Sequence, residues 1–330
     1  MSKQFNPVSS PIDHGLTLLE AGAGTGKTTT IVQRMAFLIS ELKVEASSIL
    51  ALTFSVKAAE HLKEKLVEKI GTEGENIHAS TFHSFAQSVI DEFKSELNLL
   101  YQPNLMNDSE INFLIREHFN ELDYIHSELF RRNPIDAIKT LKTIFDQFRE
   151  ELFTDKKLAT LFEQCKEIVD KENVDEKSVE HYLQLMDAIQ IYPLYQQWKK
   201  DENRIDYGDM ISNLWELMLS SKKVKSTLQQ RYTHIIVDEF QDNNHALSQV
   251  INMIAQPQNN ITVVGDDDQC IYSFRGANIQ NVSGFKSRYD GNPEYAEIPL
   301  MENYRSIKPI LKLANEIIQF NPDRVEKGEL

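Results

Sequence analysis

The chain has 330 residues, 41% apolar and 26% charged, enough for about two domains with cores of their own. A net charge of −15 excludes a protein that coats DNA by bulk electrostatics, while leaving room for a local basic or aromatic groove. The two cysteines, Cys165 and Cys270, lack any metal spacing and predict free thiols in a reducing, cytoplasmic setting. The first ten residues, MSKQFNPVSS, carry no apolar signal core, and no apolar run approaches the length of a membrane span.

Residues 1–15 read as an irregular lead-in. Residues 16–20 have strand character and run into a glycine-rich turn, followed by Lys27, Thr28 and an apolar-periodic helix to about residue 42. Strand, glycine loop and helix in this order form a Walker A phosphate cradle, here Gly22-Ala23-Gly24-Thr25-Gly26-Lys27-Thr28 after Ala21. Glycines let successive backbone N–H groups converge on an anion, and the helix start adds its positive dipole end. Lys27 is placed to reach the β- and γ-phosphates of ATP, and the Thr28 hydroxyl to hold Mg²⁺. The bland alternative is a glycine-rich turn that happens to precede a lysine.

Residues 49–54 (ILALTF) form a near-continuous apolar run, as a buried parallel strand requires, and a charged amphipathic helix follows to residue 70. A weaker strand at 77–80 leads through Thr81-Phe82-His83-Ser84 into another helix. From residue 104 to 203 strand signals vanish, glycine is absent, and amphipathic helical patterns dominate. This region reads as an all-helical subdomain inserted into an α/β domain, its charge clusters most simply solvated helix faces. Strand patterns return at 234–237, ending at Asp238-Glu239, at 261–264, ending at Gly265-Asp266, and at 295–300. A helix is expected from about 309 to 320. The alternation predicts a doubly wound parallel sheet, divided as 1–103 and 204–302 around the insertion 104–203, with 303–330 opening a further domain.

In a parallel sheet ligands sit beyond the carboxyl ends of the strands. Asp238 is therefore placed to hold Mg²⁺, and Glu239 to accept the proton of an attacking water. The alternative is an acidic strand-to-loop turn without chemistry.

The run Val237-Asp238-Glu239-Phe240-Gln241-Asp242 resembles the Walker B motif of the UvrD/Rep family of superfamily 1 DNA helicases. Residues 265–277 (GDDDQCIYSFRGA) resemble that family's motif III, Thr53-Phe54-Ser55-Val56-Lys57-Ala58-Ala59 its motif Ia, Thr81-Phe82-His83-Ser84-Phe85 its motif Ib, and Asn303-Tyr304-Arg305-Ser306 its motif IV. The matches are co-linear, and the helical insertion falls where the family carries its subdomain 1B. The resemblance implies a P-loop NTPase of RecA-like fold and an ATP-dependent helicase moving 3′-to-5′ on single-stranded DNA. It implies that Gln269 senses the γ-phosphate, Arg305 places a cation on it and Tyr304 stacks on adenine. Phe54, Lys57, Phe82, His83, Tyr272, Phe274 and Arg275 would face DNA, aromatic faces suiting a motor that accepts any base. Phe82 and Phe85 also fit as ordinary core residues, and Lys57 and Arg275 as surface charges.

The family's adenine-reading Q motif is not recognisable, the start looks more like the RecB branch, and Thr29 stands where many relatives put an arginine against adenine. Motifs V and VI are not found after Ser306, so the chain reads as one motor half, holding ATP but not unwinding alone. The implied partners are single-stranded DNA or single/double-strand junctions and proteins of repair or recombination, with no membrane. Two rivals stand beside this reading: a regulatory nucleotide-binding module without motor action, and the motor half of a RecB-like helicase–nuclease.

Overall fold

The computed structural model describes residues 15–97, 103–119, 122, 125–171, 174–271 and 281–320. In chain order the strands are β1 (Leu16–Ala21), β2 (Ile49–Thr53), β3 (His78–Thr81), β4 (Asn104–Leu105), β5 (Arg204–Ile205), β6 (His234–Val237), β7 (Ile261–Gly265) and β8 (Tyr295–Leu300). The helices are α1 (Lys27–Ser40), α2 (Val56–Ile70), α3 (Phe82–Glu92), α4 (Asp108–Phe119), α5 (Glu128–Arg132), α6 (Pro134–Glu150), α7 (Asp155–Val169), α8 (Glu176–Asp201), α9 (Tyr207–Ser220), α10 (Lys222–Arg231), α11 (His245–Ala255), α12 (Asn281–Tyr289) and α13 (Lys308–Ile318). The chain divides into two units, one formed by residues up to Phe85 with those from Leu217 onward, the other by Ala86–Glu216.

The first unit is built on one six-stranded sheet in the order β3-β2-β6-β7-β1-β8, and every neighbouring pair is parallel. This is the α/β architecture that the strand–helix alternation predicts. β2, β6 and β7 are buried along their whole lengths, which explains their continuous apolar runs. On one face, Ile31, Met35, Leu38 and Ile39 of α1 and Leu62 and Leu66 of α2 pack with Leu19, Ile49, Ile236, Val264 and Ile298. The Ser55 side chain accepts from the Ala58 N–H, so α2 starts where its cap residue stands. Because all strands run the same way, the segments after β1, β6, β7 and β8 emerge at one edge. α13 follows with no buried residue, and Ile310, Leu313 and Ile317 lie exposed along it.

The second unit is helical. Ile111, Leu114, Ile115, Leu141, Phe145, Phe148, Ala188, Ile191 and Tyr195 from α4, α6 and α8 form its core. One feature differs from the sequence expectation of no strand in this region: Asn104–Leu105 pairs in parallel with Arg204–Ile205. Two residues per strand are too few to leave a period-two pattern.

Inside this unit lies a buried ionic network. Lys199 Nζ is 2.6 Å from both Asp209 carboxylate oxygens and 3.1 Å from Asp206 Oδ2. Arg149 Nη1 is 3.2 Å from Asp206 Oδ2, its Nη2 is 2.5 Å from Asp146 Oδ1, and the Tyr195 hydroxyl donates to Asp206 Oδ2 at 2.6 Å. Burial pushes the Asp206 carboxyl up, but Arg149 and Lys199 outweigh it and hold the group well below the usual carboxylate range. Among the described residues, no helix is long and apolar enough to cross a membrane.

Candidate active site

The loop after β1 is shaped by its glycines. Gly26 (φ 87°) and Gly24 (φ 82°) occupy the left-handed region, which a side chain would strain. A Cβ on Gly24 would also stand 2.6 Å from Arg305 Cβ, so the segment after β8 closes directly on the cradle. That closure is hydrogen-bonded: the Tyr304 N–H donates to the Gly24 carbonyl at 2.9 Å, and Asn303 Nδ2 to the Ala23 carbonyl at 2.5 Å. Asn303 Oδ1 in turn accepts from the Arg305 and Ser306 N–H groups at 3.0 and 2.8 Å. Within the loop, Thr25 donates its hydroxyl to the Gly22 carbonyl at 2.8 Å.

Lys27 and Thr28 open α1, both half-buried, with Thr29 exposed beside them. Lys27 Nζ lies 2.5 Å from Glu239 Oε2 and donates to Gln269 Oε1 at 3.4 Å. Glu239 follows β6 with φ 51°, a left-handed backbone unusual for a non-glycine residue and the kind of local strain that clusters at functional sites. Gln241 Nε2 donates to the same Glu239 oxygen at 2.9 Å, and Gln241 Oε1 accepts from the Asp266 N–H at 3.1 Å. Asp266 Oδ2 accepts from Gln269 Nε2 at 2.6 Å. Lys27, Glu239, Gln241, Asp266 and Gln269 therefore form a closed hydrogen-bonded ring joining the tips of β1, β6 and β7.

Asp238 sits beside this ring, 7% exposed. Burial first, then the Glu239 charge, raises its carboxyl to about 6. Asp242 is raised to about 6 by the same two causes, and its Oδ1 is buried with no hydrogen-bond partner among the described residues. A divalent cation suits such a place: hard oxygen donors and carboxylates that the protein's own cations leave under-compensated. The oxygen donors here, the Asp238 and Asp242 carboxylates, are of the kind that Mg²⁺ takes.

A model of the UvrD/REP helicase N-terminal domain matches residues 2–290. The chain belongs to this family. It is 32% identical over 314 residues to an ATP-dependent DNA helicase PcrA of Staphylococcus aureus, and 31% identical over 315 residues to one of Staphylococcus epidermidis. Each match covers 95% of this chain and 39% of the relative, so the chain spans well under half the length of these relatives.

The residues that the UvrD/Rep resemblance assigns to DNA are placed unevenly. Phe54 is 43% exposed after β2 and meets Phe82 edge-on, with ring centroids 6.0 Å apart. Phe82 itself is only 3% exposed at the start of α3. Lys57 is exposed, and His83 is half-buried with its imidazole pushed down by burial. Tyr272, Phe274 and Arg275 lie outside the described residues. Tyr304 is 75% exposed, its hydroxyl 2.5 Å from Glu302 Oε2, and Arg305 is exposed on the same turn. Sequence reading missed Gln241, Asp266, Asp242 and Asn303. All four stand inside the motifs already quoted, but spacing does not show which way a side chain turns back.

Proposed function

We propose that this chain binds Mg·ATP and supplies the hydrolytic residues of a UvrD/Rep-type DNA helicase that moves 3′-to-5′ on single strands. The observation that carries the reading is the ring in which Lys27 of the cradle meets Glu239 and Gln269, three segments brought together at one sheet edge. In this mechanism Lys27 leaves Glu239 for the β- and γ-phosphates. Bound Mg²⁺ supplies charge neutralisation at the phosphates, held by Thr28 and Asp238. The cradle residues Gly22, Ala23, Gly24, Thr25 and Gly26 hold the phosphates, with Thr29 and Tyr304 beside the nucleoside. Glu239 then takes a proton from the water that attacks the γ-phosphorus, the bond to the ADP oxygen breaks, and ADP leaves. Gln269 reports the γ-phosphate, and Arg305 stabilises the charge that develops on it.

Single-stranded DNA, or a single/double-strand junction, is the proposed polynucleotide, tracked by Phe54, Lys57, Phe82, His83, Tyr272, Phe274 and Arg275. The helical region 104–203 is proposed as the inserted subdomain between two parts of the motor domain, 1–103 and 204–302. Residues 303–330 are proposed as the opening of a second motor domain, which would cover the exposed apolar face of α13. Unwinding is assigned to a polypeptide of the relatives' full length, in the cytoplasm and with partners in repair or recombination.

Calorimetry with Mg·ATP tests the site. Lys27→Ala should lose binding by at least about 100-fold, or about 2.7 kcal/mol. Unchanged affinity would sink the assignment. Addition of single-stranded DNA should accelerate ATP hydrolysis, and indifference to it would remove the motor reading.

A further inference from the structure

We infer that Gln241 is a positioning residue that holds the Glu239 carboxylate in place for proton acceptance and ties it to the tip of β7. The inference rests on the proposed role of Glu239 and goes beyond it. Gln241 is 2% exposed, and both ends of its amide are committed: Nε2 to Glu239 Oε2 at 2.9 Å, Oε1 to the Asp266 N–H at 3.1 Å. Those partners fix the amide orientation. A flipped amide would set its oxygen against a carboxylate and its NH₂ against an N–H. The backbone is pinned too, since the Gln241 carbonyl accepts from Asn281 Nδ2 at 3.2 Å and from Cys270 Sγ at 3.7 Å. Room for the amide depends on Gly265, where a Cβ would stand 3.0 Å from Gln241 Oε1.

The chemistry gives this contact its use. Glu239 Oε2 is shared by two donors, the Lys27 ammonium at 2.5 Å and the Gln241 amide. While the ammonium sits there it occupies the very oxygen that must meet the water. Once Lys27 turns to the phosphates, the amide still holds the carboxylate. A single amide N–H orients the acceptor oxygen and leaves its other lone pair open. Glu239 itself stands on a left-handed backbone at a strand end, where no helix or strand ladder fixes its side chain. Through Oε1 the same amide couples the aim of Glu239 to the Asp266 backbone and, through Asp266 Oδ2, to Gln269. Displacement of the β7 tip therefore moves the base.

The test is single-turnover ATP hydrolysis, enzyme in excess, on the full chain. Gln241→Met keeps volume and removes both hydrogen bonds. Gln241→Glu keeps the acceptor for the Asp266 N–H, removes the donor and serves if the methionine variant does not fold. Each should slow hydrolysis about 10–100-fold, the scale of a misplaced general base. The Mg·ATP dissociation constant should stay within about threefold, since Gln241 faces the base rather than the nucleotide. In a Glu239→Gln background, Gln241→Met should lower the residual rate no further, because its effect runs through the missing base. Wild-type hydrolysis in both variants, or an equal loss in the Glu239→Gln background, would overturn the inference. Lys27→Ala and Glu239→Gln run alongside: normal binding in the first or normal hydrolysis in the second would instead bring down the reading of the site itself.

Discussion

At the strand tips of the first unit, Asp238 is a buried carboxyl raised to about 6. In the helical unit, Asp206 is just as buried and is held well below the usual range. Both units place aspartates beside basic side chains, and the difference lies in completeness. Asp206 has Arg149, Lys199 and the Tyr195 hydroxyl aimed at it, and Arg149 and Lys199 are themselves 3% and 2% exposed. Asp238 has the Glu239 charge working against it, while Lys27 pairs with Glu239 at 2.5 Å. Two buried cations aimed at one buried carboxylate hold it ionised and fix that part of the fold in one arrangement. A set short of positive charge is costly when empty and ready for a cation. Charge number alone, read from sequence, does not separate the two.

The comparison can be broken most sharply at Glu239. Glu239→Gln should cut ATP turnover by about 10²–10⁴, the usual contribution of a general base, while Mg·ATP binding and melting temperature stay near wild type. A large fall in stability would make the strand-tip set a structural network like its counterpart. Lys199→Met reverses the expectation. It leaves Asp206 and Asp209 in the helical core with Arg149 alone between them and should cost about 3–5 kcal/mol in denaturant melts. Loss of less than about 1 kcal/mol would show that those carboxylates reach water after all.

A matched pair of amide substitutions asks for opposite signs. In the native state Asp238 keeps its proton up to about pH 6, whereas its unfolded counterpart releases it near 3.8. Its contribution therefore lowers stability as pH rises from about 4 through 6. Asp238→Asn should stabilise the metal-free protein at pH 7 by roughly 1–3 kcal/mol, with Mg²⁺-dependent nucleotide binding lost. Asp206 behaves in reverse. Its lowered folded value gives stability that is fully present above about pH 4 and is lost as pH falls further. Asp206→Asn should lower the melting temperature at pH 7 and flatten its acid limb. The same sign for both variants at pH 7 would erase the distinction. An effect of similar size is expected at Gly208, where a Cβ would stand 2.3 Å from Arg149 Nε. Arg149 is pinned by Asp146 and Asp206, so Gly208→Ala should cost about 1–3 kcal/mol, read by thermal melting, rather than be absorbed by a side-chain swing.

Much of this protein is legible locally. The glycine loop proposed to hold phosphates is written in consecutive residues because a strand, a glycine turn and a helix start are neighbours in the chain. The acids after β6 are legible because a wholly apolar strand must end somewhere, and parallel strands end on the ligand side. The helical character of 104–203 follows from periodicity and the absence of glycine. What only the tertiary structure decided are the meetings of residues far apart. Lys27 reaches Glu239, Asn303 reaches Ala23, and Gln241 reaches Asp266, because sheet order sets β1 between β7 and β8, and β7 against β6. It also decided that Phe82 is buried while Phe54 is half open, since packing rather than residue type sets exposure. The opposite fates of Asp238 and Asp206 belong to this second class. A carboxyl's charge state depends on how many donors and cations surround it at a few ångströms, and folding alone brings those together.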